Sequence, residues 1–202
     1  MMKHFDTFLA ELSEQTPGRE YNWSAQKEEA CQWIIDRVVP GRGVDVGGTE
    51  YMCRMLAAAG RDITYYDLNV PREHPKFVQD DMANVLDHFE PGSLDFITTR
   101  HTLEHSIAPL FQLWSFNRIL KEGGQLLVVV PLHCKEWVWF HTHYSCLPQE
   151  NWLMLFHRAG FRVNEIGAGT WNSKRELFVE LRFDLRVESR ALRLAGAAPT
   201  KR

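Results

Sequence analysis

Long apolar runs, a basic excess, paired cysteines and internal repeats are all missing from this chain. No stretch approaches the ~20 consecutive apolar residues that a membrane-spanning helix needs. The longest, Leu126 to Leu132, contains Pro131 and reads as a buried strand. The net charge is -3 and the pI about 6.3, so there is no overall basic field to attract nucleic acid or an anionic membrane. Neither partner is expected. Met1 to Asp6 hold no apolar signal core. Cys31, Cys53, Cys134 and Cys146 form no C-x-x-C pair, so reduced thiols in a cytoplasmic protein are expected. The third glycine of a G-x-G-x-x-G turn is also missing, which argues against a nicotinamide oxidoreductase.

What is present fits one globular domain: 202 residues, 45% hydrophobic and 24% charged. The organising stretch is Gly43-Val44-Asp45-Val46-Gly47-Gly48-Thr49-Glu50-Tyr51. A short β-branched run ends in adjacent glycines and then a helix start. Glycine suits a sharp turn that a ligand approaches closely, and the helix start offers free N–H groups and a positive dipole end. A second apolar run, Ile63 to Tyr66, ends in Asp67. In nucleotide-binding α/β folds an acid about twenty residues after the glycines hydrogen-bonds ribose hydroxyls.

The rest of the chain alternates strand and helix signals. An amphipathic segment carries Phe5, Phe8, Leu9 and Leu12, and Ser24 caps a helix that stops at Pro40-Gly41. Strands are expected at 43–47, 63–67, 76–79, 94–99 and 125–130. Helices are expected at 50–59, 82–89, 107–120 (closed by Gly123-Gly124) and 148–159. Residues 132–147 read as an irregular insert rich in His, Trp and Tyr. Two last strands, 161–166 and 177–183, are joined only by a loop and pair as an antiparallel hairpin. The expected architecture is therefore α/β: a Rossmann-like, doubly wound, mostly parallel sheet with an antiparallel strand at its edge and helices on both faces. Its expected parts are an N-terminal helical segment (1–42), the core domain (43–185) and a basic tail (186–202).

His101, Glu104 and His105 follow the fourth strand at the edge where ligands bind in such sheets. They read either as packing residues or as chemistry. An imidazole titrates near neutral pH and suits a general base, with His101 the first choice and His105 the second. The string also matches the metallopeptidase signature H-x-x-E-H, but it follows a strand instead of lying on a long zinc-binding helix. In the insert, Trp137, Trp139 and Tyr144 are candidates to stack on a ring, and His141 or His143 to act as base or ligand. A packed lid is the alternative.

Taken together, these motifs resemble the class I S-adenosylmethionine-dependent methyltransferases, in the small-molecule branch with a Leu-Glu-His signature. Asp45-Val46-Gly47-Gly48-Thr49 is similar to the family's first motif, Tyr66-Asp67 to the second and Gln79-Asp80-Asp81-Met82 to the adenine motif. Leu94 to Ile97 with Leu103-Glu104-His105 resembles the fourth, and Arg118 to Gly124 with Leu126 to Pro131 resembles the last turn and strand. The resemblance implies S-adenosylmethionine as cofactor. Asp45, Gly47, Gly48 and Thr49 would hold its methionine part, Asp67 the ribose, and Asp81 with Met82 the adenine, with Leu68 and Arg100 as further cofactor-binding residues. It implies methyl transfer to an O or N atom of a small molecule by a monomer or homodimer, with His101, Glu104, His105 and His143 doing the acceptor chemistry. No metal ligand is assigned in this reading. A metal-assisted O-methyltransferase with a divalent ion at the His–Glu cluster, and a non-catalytic scaffold, are the alternatives.

Overall fold

A computed structural model of the chain describes residues 28–68, 76–139, 142–171 and 174–184. The expectations for Phe5 to Leu12, Tyr21, Trp23, Ser24, His141 and the tail from Arg186 lie outside the described residues.

The elements run α1 (Glu28–Arg37), β1 (Arg42–Val46), α2 (Glu50–Ala58), β2 (Asp62–Asp67), β3 (Phe77–Gln79) and β4 (Leu94–Arg100). They continue with α3 (Pro109–Ile119), β5 (Leu120–Pro131), the single turn α4 (Lys135–Val138), α5 (Gln149–Arg158), β6 (Phe161–Trp171) and β7 (Lys174–Phe183). Two 3₁₀ segments, Met82–Asp87 and Leu103–His105, follow β3 and β4.

The seven strands lie in the order β3-β2-β1-β4-β5-β7-β6. β1 to β5 pair in parallel, and β7 pairs antiparallel with both β5 and β6. The antiparallel strand is therefore one in from the edge, and β6 is the edge itself. The order reverses beside β1, which opens a crevice at the carboxyl ends of β1 and β4, where such sheets bind ligands.

Strand periodicity divides the core between the two faces. Val128 and Val130 pack with Tyr66, Ile97, Phe116 and Trp152 on the face covered by α3 and α5. Leu127 and Val129 pack with Tyr65, Phe96, Ile34 and Leu56 on the face covered by α1 and α2. Burial on both sides explains why the second half of β5, Leu126 to Pro131, is all apolar. Gln125, just before that run, is buried and polar and is fully satisfied: it accepts from Val39 N–H at 2.9 Å and donates to the Arg37 carbonyl at 2.9 Å, tying the end of α1 to the sheet.

Three expected boundaries move. Gly123-Gly124 do not close the third long helix; α3 ends at Ile119 because Leu120 is already extended, with φ -74° and ψ 142°. Its last carbonyls are taken by a distant turn, through Gly92 N–H to Arg118 and Ser93 N–H to Ile119. The glycines instead form the irregularity between Leu120 and Gln125 within β5. The last hairpin is longer than expected, with pairing out to Trp171 and Lys174. The insert contains one helical turn, α4. No described helix is long and apolar enough to cross a membrane.

Candidate active site

The crevice is built from the glycine turn after β1, the acid ending β2 and the segment after β4. Val46 pairs with Tyr66 in the parallel register, and the Gly47 N–H donates to the Tyr66 carbonyl at 2.8 Å. Gly47 and Asp67 are thus brought side by side. Gly47 has φ 64°, and a Cβ there would overlap the Thr102 side chain. A Cβ on Gly48 would overlap the Asp45 carboxylate. Both positions need glycine because the chain closes on itself there, whatever a ligand requires. Thr49 is spent as the N-cap of α2, its hydroxyl accepting from Met52 N–H at 3.3 Å.

Asp45 is 1% exposed. One oxygen accepts from the Thr98 hydroxyl at 2.7 Å, and the other faces the Cys53 thiol at 3.7 Å. Burial pushes its pKa up to about 6, against the opposing pull of Thr98 and the Arg100 charge. Arg100 is buried at the end of β4, and its Nη1 has no hydrogen-bond partner among the described residues. A buried guanidinium nitrogen left open at the carboxyl end of the sheet is a donor ready for an anionic group.

At the other end of the crevice, Asp67 is half-buried and Leu68 is exposed, and the Leu68 carbonyl accepts from the Gln79 amide at 3.0 Å. Asp81 caps the Met82–Asp87 segment by accepting from Ala83 N–H at 2.8 Å, while its own carbonyl accepts from the Tyr66 hydroxyl at 2.7 Å. Met82 is half-buried against the core. These contacts fix the acid and the thioether where the crevice turns past β2.

The segment after β4 carries the densest polar cluster. His101 sits in left-handed backbone at φ 50°, the one such non-glycine among the described residues. Thr102 anchors the segment to the glycine turn, its hydroxyl lying 3.2 Å from the Val46 carbonyl and 3.1 Å from that of Arg100. His101 and Glu104 are both buried. His101 Nε2 pairs with the Glu176 carboxylate from β7. Nδ1 lies 3.2 Å from Glu104 Oε1, at a geometry that makes an ion pair without a proper hydrogen bond, so neither Glu104 oxygen has a hydrogen-bond partner. Burial alone would push the imidazole pKa down, but the two carboxylates outweigh it and raise it. Burial likewise pushes Glu104 up, but His101, with His105 and His143 nearby, holds it below the usual carboxylate range.

His105 Nδ1 faces the Thr142 carbonyl at 2.8 Å; the carbonyl can only accept, so that nitrogen carries a hydrogen and the neutral ring has its lone pair on Nε2. The ring meets that of His143 edge-on at 4.8 Å. His143 stacks on buried Trp137 at 5.4 Å, and burial lowers its pKa to about 4. The insert is stitched to the same segment: Ser145 N–H donates to the Glu104 carbonyl at 2.9 Å, and the Ser145 hydroxyl donates to the Ser106 carbonyl at 2.7 Å. Of the insert aromatics, Trp137 is packed inside while Trp139 and Tyr144 are exposed. Glu104, His105 and His143 offer one donor atom each, all within 4.8 Å of one another.

Sequence reasoning missed Glu176, Thr98 and Thr142. Glu176 alone left a signal, a lone acid at the head of the apolar run Leu177 to Val179. Its partner became visible only through the β5–β7 register, which sets Glu176 opposite Pro131.

A seven-stranded sheet of this order, with a glycine turn, a following acid and a polar cluster around its switch point, is a Rossmann-like α/β ligand-binding fold. The profile of a methyltransferase-domain family matches residues 7–166, and the chain belongs to that family. Comparison with curated proteins gives no sequence match. The fold is similar to that of the Burkholderia thailandensis 1,6-didemethyltoxoflavin-N1-methyltransferase, solved with 1,6-didemethyltoxoflavin and S-adenosylhomocysteine. The two share 16% identity and a TM-score of 0.68 over 79% of each chain. It is also similar to an S-adenosylmethionine-dependent methyltransferase from Mesorhizobium loti, with 15% identity and a TM-score of 0.62 over 79% of this chain and 98% of that one. The [4+2]-cyclase SpnF matches as well, at 15% identity and a TM-score of 0.65 over 83% of this chain and 85% of that one. One sheet thus carries more than one chemistry, and the reaction has to be argued from the site.

Proposed function

We propose that this protein is an S-adenosylmethionine-dependent methyltransferase that methylates an oxygen or nitrogen of a small molecule. The observation that carries the reading is the anchoring of Thr102 on the glycine turn, which joins the crevice to the Glu104–His105–His143 face through one short segment. Leu103-Glu104-His105 supports the small-molecule branch.

Bound in the crevice, S-adenosylmethionine supplies a methyl group already activated on a sulfonium sulfur. The residues fit it. Gly47, Gly48 and the Thr49-capped helix start present backbone to the methionine part, with Asp45 and the open Nη1 of Arg100 on its charged groups. Asp67 and the Leu68 backbone take the ribose, and Asp81 with Met82 the adenine. The chain's own work is to align the acceptor, exclude water and lose the acceptor's proton. We assign the proton loss to the Glu104–His105–His143 face, where His105 presents the Nε2 lone pair. His101, first choice from the sequence, has both ring nitrogens turned to carboxylates and acts as a positioning residue for Glu104.

The test is transfer of labelled methyl from S-adenosylmethionine into a fractionated small-molecule extract. A labelled small product with the wild type, and none with His105→Ala, is expected. Label appearing only in protein or nucleic acid overturns the small-molecule assignment.

A further inference from the structure

We propose that Glu104, His105 and His143 bind a divalent cation of the zinc class, and that this ion holds and acidifies an oxygen of the methyl acceptor. This deepens the reading above and rests on it for the acceptor, but the ion site stands on its own geometry.

Two imidazoles and one carboxylate, with donor atoms within 4.8 Å of one another, are the ligand set of open zinc and iron sites. Bonds of about 2.0–2.2 Å space tetrahedral donors roughly 3.4 Å apart, so side-chain rotations of about an ångström close the set. The set differs from the one the sequence motif suggests. His101 is turned away to Glu176, and His143 arrives from the insert in its place.

Three features point to a cation beyond proximity. Glu104 is fully buried and neither of its oxygens accepts a hydrogen bond, so beyond the His101 contact at 3.2 Å its lone pairs are open to a further cation. A single imidazole, His101, serves both Glu104 and Glu176; even fully charged it leaves one negative charge buried. The rings are also pre-oriented. The Thr142 carbonyl engages His105 Nδ1 and leaves Nε2 as the ligating nitrogen, the second-shell contact that metal-binding histidines make, and Trp137 fixes the plane of His143. His105 and His143 are only half-buried, which leaves coordination positions open to a substrate. An ion-bound hydroxyl ionises far more readily than a free one and passes its proton to water on the open side of the site, so with the ion bound His105 serves as a ligand and not as the base.

The full chain, stripped with a chelator, is titrated with zinc by calorimetry and with cobalt(II) by visible absorption. One equivalent per chain is expected, with cobalt bands free of thiolate charge transfer. His143→Ala and His105→Ala weaken zinc roughly 100-fold or abolish its binding, with circular dichroism unchanged, while His133→Ala, at an exposed histidine, binds as wild type. No binding by the wild type, equal binding by both variants, or a thiolate band from Cys134 or Cys146 overturns the proposal. Adenosylhomocysteine titrated into the same samples separates the two readings. Retained nucleoside affinity with no zinc sinks the ion alone, and zinc without nucleoside affinity sinks the methyltransferase reading alone.

Discussion

His101 on the segment after β4 pairs through Nε2 with Glu176 on β7, 75 residues further along the chain, while its other nitrogen faces Glu104. One buried ring therefore holds two buried carboxylates together. Removing it leaves them facing each other without a cation. His101→Asn is the fair test, because asparagine tolerates the left-handed backbone that the site imposes. A loss of about 3–5 kcal/mol in urea melts of the chelator-stripped protein is expected, with part recovered by adding Glu176→Gln. A loss below about 1 kcal/mol would show that the ring does not balance the two acids. Any turnover defect at this position is thus expected to travel with a stability defect.

Asp45 gives a pH dependence whose sign follows from burial. Its folded pKa of about 6 lies above the ordinary carboxylate value, so the folded state holds its proton more tightly than the unfolded chain. The site costs nothing below pH ~4; the cost grows as pH rises toward 6 and reaches about 3 kcal/mol at pH 7. Asp45→Asn keeps an acceptor for Thr98 and removes the charge. The ligand-free variant is expected to be more stable than wild type at pH 7.5 and equal to it at pH 4. Parallel stability profiles across that range would contradict this.

Thr102 and Gly48 test the closeness of the turn. Thr102→Val removes the hydroxyl shared by the Val46 and Arg100 carbonyls, at an expected cost of about 1–3 kcal/mol. Gly48→Ala drives a Cβ into the Asp45 carboxylate and is expected to lower both stability and nucleoside affinity. A Gly48→Ala protein that melts and binds like wild type would mean that the turn is looser than described.

The alternation of strands and helices was legible because each strand is short, β-branched and bounded by turn residues, and each helix carries one apolar face. The glycine turn and Asp67 were legible for the same reason, since register alone brings the ends of parallel neighbours together. The end of α3 was not, because Gly92 and Ser93 from a distant turn take its last carbonyls. Nor was the pairing of His101 with Glu176, or the approach of His143 to His105, since both depend on where the hairpin and the insert fold back. Local pattern reports on neighbours in sequence. The polar cluster is made of residues that meet only through the sheet.

In the proposed function, the turn at Gly47 and the acid at Asp67, brought together by the β1–β2 register, form one nucleoside site. Calorimetric titration of S-adenosylhomocysteine into the wild type and Asp67→Ala tests it most directly. One site per chain is expected in the wild type and roughly 10- to 100-fold weaker binding in the variant, the loss that follows when hydrogen bonds to a charged group are removed. Equal affinity in the two proteins, or no binding by the wild type, would contradict it.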